Sequence, residues 1–275
     1  FYENAVVDDP ANPMDKKKLA DTKVRGADDF FARGQEALAR RDPNSAINYL
    51  SDALSWDRRP EIQAALDEAK ALLKVVTAER FAAQGHEYLE GKGLTQAKGL
   101  FRKALNHDGS NASAQEGLAR VTSETRRLTA ILAAGVGSLK AKKWTEALGR
   151  FNEVLAGWSD NADAVSGKRT AKNHVAYDKA LARARAFEKA GDWENAWNAY
   201  AQAQQIFDSK SIRKRIAQAK GRAESVALTT RGAQEFEGKA LTRAKTTVTT
   251  ALKLYPRNRK ATDLLARVNT ATRQA

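Results

Sequence analysis

Cysteine is absent from these 275 residues, methionine occurs once, proline five times and histidine three times. Without cysteine there is no disulfide framework, no Cys-containing zinc site, no iron-sulfur cluster and no cysteine nucleophile. A metal site built from histidine would need His86, His107 and His174 to converge from separate segments. Long apolar runs are missing as well, since no stretch approaches the roughly 18 uninterrupted apolar residues of a membrane helix. What is abundant is alanine, 52 residues. With so little proline, that balance favours helix. The charge is +14, from 47 Lys+Arg against 33 Asp+Glu.

The chain starts at Phe1 and its single methionine is Met14, which reads as a processed product or a fragment. Residues 1–11 lack helical periodicity and hold Asp8, Asp9 and Pro10, so an extended N-terminal arm is expected there.

Self-similarity organises the rest. Five segments align without gaps: RGQEALARRDPNSAINYLSDAL from Arg33, QGHEYLEGKGLTQAKGLFRKAL from Gln84, AGVGSLKAKKWTEALGRFNEVL from Ala134, RARAFEKAGDWENAWNAYAQAQ from Arg183 and RGAQEFEGKALTRAKTTVTTAL from Arg231. Each has a small anchor residue at its second position (Gly34, Gly85, Gly135, Ala184, Gly232) and an alanine twelve positions later (Ala46, Ala97, Ala147, Ala196, Ala244). Four residues after that alanine comes a large side chain, Leu50, Phe101, Phe151, Tyr200 or Val248. Such spacing suits helix-on-helix packing, in which a small residue admits a close neighbour and a large one fills the groove beside it.

These positions resemble the tetratricopeptide repeat (TPR), with its small residue in helix A, two alanines and an aromatic in helix B, and proline after helix B. The resemblance is strongest in AKKWTEALGRFNEVL, in AGDWENAWNAYAQAQ and at Pro256. It implies an all-α, TPR-like helical-repeat solenoid: a single array of five repeats over residues 12–275, ending in a capping helix at 257–275. One departure is clear. Successive anchors lie 51, 50, 49 and 48 residues apart, against about 34 in the family. The additional ~15 residues are helical in composition and run without a break into the next helix A, so long helices of about 30 residues are expected to alternate with short ones. Expected N-caps are Asn12, Asp42, Asn111, Asp160 or Asn161, Asp192 and Ser209. In the long helix from Pro60, the stripe Ile62, Leu66, Ala69, Leu73, Val76 resumes only at Phe81, Gly85 and Leu89. That gap turns the apolar face, so the two halves should pack on different neighbours. TTVTTALKLYP prefers strand by composition, but the repeat register makes it helical.

Catalytic constellations do not emerge. Gly91-Lys92-Gly93-Leu94-Thr95 lacks phosphate-loop spacing, Gly135-Val136-Gly137 lacks the third glycine of a dinucleotide site, and Asp108-Gly109-Ser110-Asn111 lacks the later acids of a calcium loop. All three read as helix or interhelix turns, so no enzyme, metal or cofactor is expected. Trp144 and Trp193 occupy equivalent positions at the start of helix B and read as packing wedges, whereas the repeat does not account for Trp56 and Trp158.

The resemblance implies a partner groove lined by helix A: Phe31, Gln35 and Leu38, then Ala82, His86 and Leu89, then Leu132, Val136 and Leu139, then Leu181, Arg185 and Lys189. It lacks the paired Lys and Asn with which some members grip a C-terminal carboxylate. Charge is also uneven: residues 209–275 hold 16 Lys+Arg and four acids, so most of the excess lies in the last quarter. Lys210, Arg213, Lys214, Arg215, Lys220, Arg222, Arg257, Arg259 and Lys260 form a candidate basic patch. The sequence thus reads as a non-enzymatic scaffold that binds other proteins within a larger assembly, in the bacterial envelope or periplasm. The alternatives are a cytoplasmic setting and an acidic-partner, nucleic-acid or anionic-surface binder acting through the basic end. No aromatic is interleaved in residues 210–222, which argues against single-strand stacking.

Overall fold

A computed structural model describes residues 12–274 and Asn4. The expected arm at 1–11 falls outside the described residues apart from Asn4. Long helices alternate with short ones: α1 (Pro13–Ala39), α2 (Pro43–Trp56), α3 (Pro60–Glu90), α4 (Leu94–His107), α5 (Ala112–Lys140), α6 (Trp144–Gly157), α7 (Ala162–Ala190), α8 (Trp193–Ile206), α9 (Lys210–Glu237), α10 (Leu241–Leu254) and α11 (Arg259–Gln274). Each of the five short helices α2, α4, α6, α8 and α10 has 14 residues, and the long ones have 27 to 31. The inserted residues are therefore helical and continuous with helix A, as the spacing requires.

Local chemistry sets the boundaries. Pro13, Pro43 and Pro60 stand in first turns, where a missing N–H costs nothing. Asn12, Asp42, Asp192 and Ser209 accept from the amides of Met14, Ser45, Asn195 and Ile212. Asn111 and Asn161 do the same for Ala114 and Ala164, which assigns the α7 cap to Asn161 and leaves Asp160 for another role.

Every turn from helix A to helix B is built alike. Seven residues after each anchor, Arg41, Lys92, Lys142, Gly191 and Lys239 adopt φ between 55° and 77°. At each, its N–H donates to the carbonyl three residues back and the next N–H to the carbonyl five back, as in Lys92 N to Leu89 O (3.1 Å) and Gly93 N to Tyr88 O (2.8 Å). This left-handed closure satisfies carbonyls that the helix end would otherwise orphan.

The threonines of α10 also explain why a β-branched run is helical. Thr246, Thr249 and Thr250 return their hydroxyls to the carbonyls of Thr242, Lys245 and Thr246, while Val248 is fully buried. Packing of that face outweighs strand propensity.

The chain packs as two compact units, Phe1–Ala133 with Asn152–Val165 and Ala134–Phe151 with Ser166–Ala275. In the first, α3 serves two neighbours. Ile62 is buried with Ala27 and Ala53, and Leu66 and Ala69 with Ala37, Ala46 and Leu50. Further along, Ala78 and Ala82 are buried with Leu94, Ala97 and Phe101. The rotated stripe therefore does join consecutive repeats. Phe101 sits between Gly85 of α3 and Gly117 of α5. A Cβ on Gly85 would come within 2.6 Å of its ring, and one on Gly117 would also collide with it. In the second unit Phe151 lies in the same way between Gly135 and Gly167. Where the anchor is Ala184, Tyr200 fills the slot and its buried hydroxyl donates to Glu188 (2.7 Å). Burial, and then the bond to Glu188, pushes the phenol up from its ordinary pKa.

Candidate functional site

Side chains spent on packing can be separated from those left for recognition. In the first unit Phe31 and Leu38 are half-buried against the Leu50 cluster, and Ala82 is core. Gln35 is exposed, and Leu132 is half-buried. His86 and Leu89 come together in a cleft of about 280 Å³ that Lys92, Leu94, Arg120 and Glu124 also line. The His86 ring lies edge-on to Phe101 (4.9 Å between centroids), with Nε2 3.0 Å from Ser113 Oγ. In the second unit Leu139 is half-buried and Leu181 packs against the Tyr200 cluster, while Val136, Arg185 and Lys189 are exposed.

The basic patch divides on inspection. Arg213 pairs with Asp208 (3.3 Å), Arg215 with Glu188 (3.3 Å) and Lys220 with Glu224 (3.8 Å). Lys220 also stands over the Trp197 ring. Arg222 is held between two rings, 4.4 Å from the Trp193 centroid and 5.0 Å from that of Tyr255. Lys210, Lys214, Arg257, Arg259 and Lys260 are exposed and form no ion pair among the described residues.

That sandwich has a counterpart one repeat earlier. Trp144 stacks on His174 at 3.8 Å with 9° between planes, and His174 stacks on Phe207 at 4.6 Å. In both cases the first residue of one short helix is joined, through a long-helix side chain, to the residue that caps the following short helix. Trp158 plays the capping part in the first unit, where its Nε1 donates to Thr95 Oγ1 (3.0 Å) at the start of α4. The wedge role expected of Trp144 and Trp193 is present, and Trp158 belongs to the repeat after all. Sequence reading missed His174, Phe207 and Tyr255. The signal available was an aromatic 63 residues after Trp144 and 62 after Trp193, visible only when the residues just beyond the helices are aligned too. Trp56 packs instead on α1, against Phe30 and the bare backbone of Gly26.

Among the described residues no group of three or more His, Cys, Asp or Glu is placed to hold a metal ion, and no helix is long and apolar enough to cross a membrane. The glycine-containing stretches 91–95 and 108–111 lie at helix ends. Lys92 carries the left-handed φ between Gly91 and Gly93, and Asp108 bonds to Ser110, whose hydroxyl and amide lower the carboxyl pKa.

The alternation of long and short helices on repeated anchors is a TPR-like helical repeat. Solved structures to which the chain is similar include three TPR proteins. The TPR domain of P58(IPK) is 14% identical over 99% of this chain and 92% of its own, with a TM-score of 0.26. The TPR2AB domain of yeast Sti1, solved in complex with pHSP90, is 14% identical over 88% of this chain and 98% of its own, with a TM-score of 0.20. A tetratricopeptide repeat protein from Parabacteroides merdae is 15% identical over 89% and 99%, with a TM-score of 0.18. No protein-family model and no curated protein matches the chain. The physical basis of the class is the anchor-to-groove packing described above, not these superpositions.

Proposed function

We propose that this chain is a non-enzymatic scaffold that binds other proteins within a larger assembly, with the bacterial envelope as its setting. One observation carries the reading. The packing positions repeat in every unit, as the anchors and the Leu50, Phe101, Phe151, Tyr200 and Val248 series do, whereas the residue that follows the anchor, exposed as Gln35, Val136 and Arg185, differs from repeat to repeat. Residues that vary on a fixed frame are what selective recognition by a repeat protein requires. The solved TPR proteins include one bound to pHSP90 and an APC/C hetero-tetramer, Cut9–Hcn1, which supports protein binding as the class of activity. The envelope setting draws support only from the lack of cysteine.

In-cell cross-linking followed by mass spectrometry tests the proposal. Recurrent cross-links from the exposed faces of the long helices to defined proteins are expected, with loss on Val136→Asp or Arg185→Glu at unchanged helicity. A chain that recovers no protein under these conditions is not a scaffold. Fractionation of the cells tests the envelope assignment separately.

A further inference from the structure

Five exposed cations of the second unit that form no ion pair among the described residues, Lys210 and Lys214, then Arg257, Arg259 and Lys260, fall in two groups along α9. Lys210 and Lys214 are one turn apart at the start of α9, on the same side of it. Arg257, Arg259 and Lys260 surround the start of α11, and their position along α9 is set by Asn258. Its side-chain amide is buried against α9, donating to Ser225 Oγ (2.9 Å) and Thr229 Oγ1 (3.0 Å). From Lys210 to Ser225 the helix rises about 22 Å. An extended chain covers that distance in about seven residues.

Acids do not neutralise these groups. Of the four in residues 209–275, Glu224 is engaged by Lys220 and Glu235 by Arg231 and Thr247, Glu237 ends α9, and Asp263, one turn after Arg259, forms no ion pair among the described residues. Neither α9 nor α11 has an acid in its first turn. Cations there oppose the helix dipole, so stability does not account for their placement.

We propose that the second unit docks an extended acidic protein segment along α9, with one acidic cluster on Lys210 and Lys214 and another, about seven residues away, on Arg257, Arg259 and Lys260. The proposal rests on the scaffold reading and names a class of partner for it. Two observations favour a peptide over nucleic acid or membrane. Trp193, Trp197 and Tyr255 are occupied by Arg222 and Lys220, which leaves these rings unavailable for base stacking. From Lys210 onward the exposed large apolar residues are Val226 and Leu254 alone among the described residues, too few for an apolar face to enter a bilayer.

Fluorescence anisotropy with the full chain tests this. The probe is a labelled peptide of two Glu-Glu-Glu blocks joined by a six-residue Gly-Ser spacer. Comparison ligands are a single Glu block, a Lys-block peptide, a 20-base-pair duplex and phosphatidylserine vesicles. The two-block peptide should bind saturably, weaken steeply with salt, and exceed the single block by at least tenfold. Lys210→Glu with Lys214→Glu, and separately Arg259→Glu with Lys260→Glu, should each lower affinity at least tenfold. Lys210, Arg259 and Lys260 stand in first turns, where an acid favours the helix, and Lys214 is exposed, so the helices should remain intact, which circular dichroism checks. Absent binding, equal affinity for one block and two, unchanged affinity in both variants, or tighter binding to the duplex or vesicles would each overturn the proposal. The scaffold reading is tested apart from it. If both variants retain every cross-linked protein of the wild type, docking at the basic end falls and the scaffold stands; if the wild type cross-links none, the scaffold itself falls.

Discussion

The carboxylate of Asp160 caps a helix 65 residues before it in the chain: Oδ2 accepts from Thr95 N at 3.1 Å and from Gln96 N at 3.2 Å, at the start of α4. Gly93, the N-cap residue, has no side chain to do so. Ser159 strengthens the hook, its N–H donating to Lys92 O (2.9 Å). One repeat thus completes the backbone bonding of another.

Asp160→Ala should therefore destabilise the first unit by about 1 kcal/mol, the usual worth of an N-cap. Asp160→Asn, which keeps an acceptor, should cost less. Urea unfolding of both variants decides this, with hydrogen exchange at Thr95 and Gln96 as the local readout.

Phe101 and Gly117 form a second long-range pair. Phe101→Ala should cost about 3–5 kcal/mol as a cavity in a packed core. Gly117→Ala should also destabilise, because its Cβ would strike the ring. In combination with Phe101→Leu, which vacates part of that space, the loss should be less than additive in a double-mutant cycle.

The left-handed turns separate backbone from side-chain effects. Gly191→Ala should lower stability by about 1 kcal/mol, since its φ is +77° with open space around it. Lys142→Gly, at the equivalent turn, should be neutral or stabilising. Thermal unfolding distinguishes the two signs.

Arg222 tests the sandwich between Trp193 and Tyr255. Arg222→Met keeps the aliphatic stem and removes the charge, so the loss should be about 1 kcal/mol, in the range for a half-buried cation over aromatic rings. His174→Arg should be accepted in its slot between Trp144 and Phe207, because the next repeat already places an arginine between two rings. Chemical denaturation of both variants, with tryptophan fluorescence as the probe, measures this.

Acid sensitivity has a local source. Hydrogen bonds from the Ser45 side chain and backbone hold the Asp42 carboxyl below its ordinary pKa. The stabilisation is complete above the unfolded value of about 3.9 and fades as pH falls through the lower folded value. Asp42→Asn keeps the cap without titrating, so it should flatten that part of the stability profile between pH 5 and 2. A profile identical to wild type would remove Asp42 from the account.

Helix identity, length and phase were legible because they depend on neighbours within four residues. The caps at Asn12, Asp42, Asp192 and Ser209, the proline positions and the rotated stripe of α3 all follow from local periodicity. The groove was less legible. Phe31, Leu38 and Ala82 share the spacing of exposed helix-A residues, yet they pack in clusters with residues of other helices that periodicity alone does not place.

Charge shows the same boundary. Composition located a surplus of cations in the last quarter of the chain, but only packing determined that Arg213, Arg215, Lys220 and Arg222 are occupied while Lys210, Lys214 and the cations around Asn258 stand unpaired. The sequence by itself determined an all-α repeat of long and short helices, because hydrogen bonding and side-chain phase within a helix are local. Tertiary structure alone decided that Asp160 caps α4, that Phe101 lies between two glycines, and which charges remain open. Each of these depends on atoms brought within a few ångströms by segments far apart in the chain.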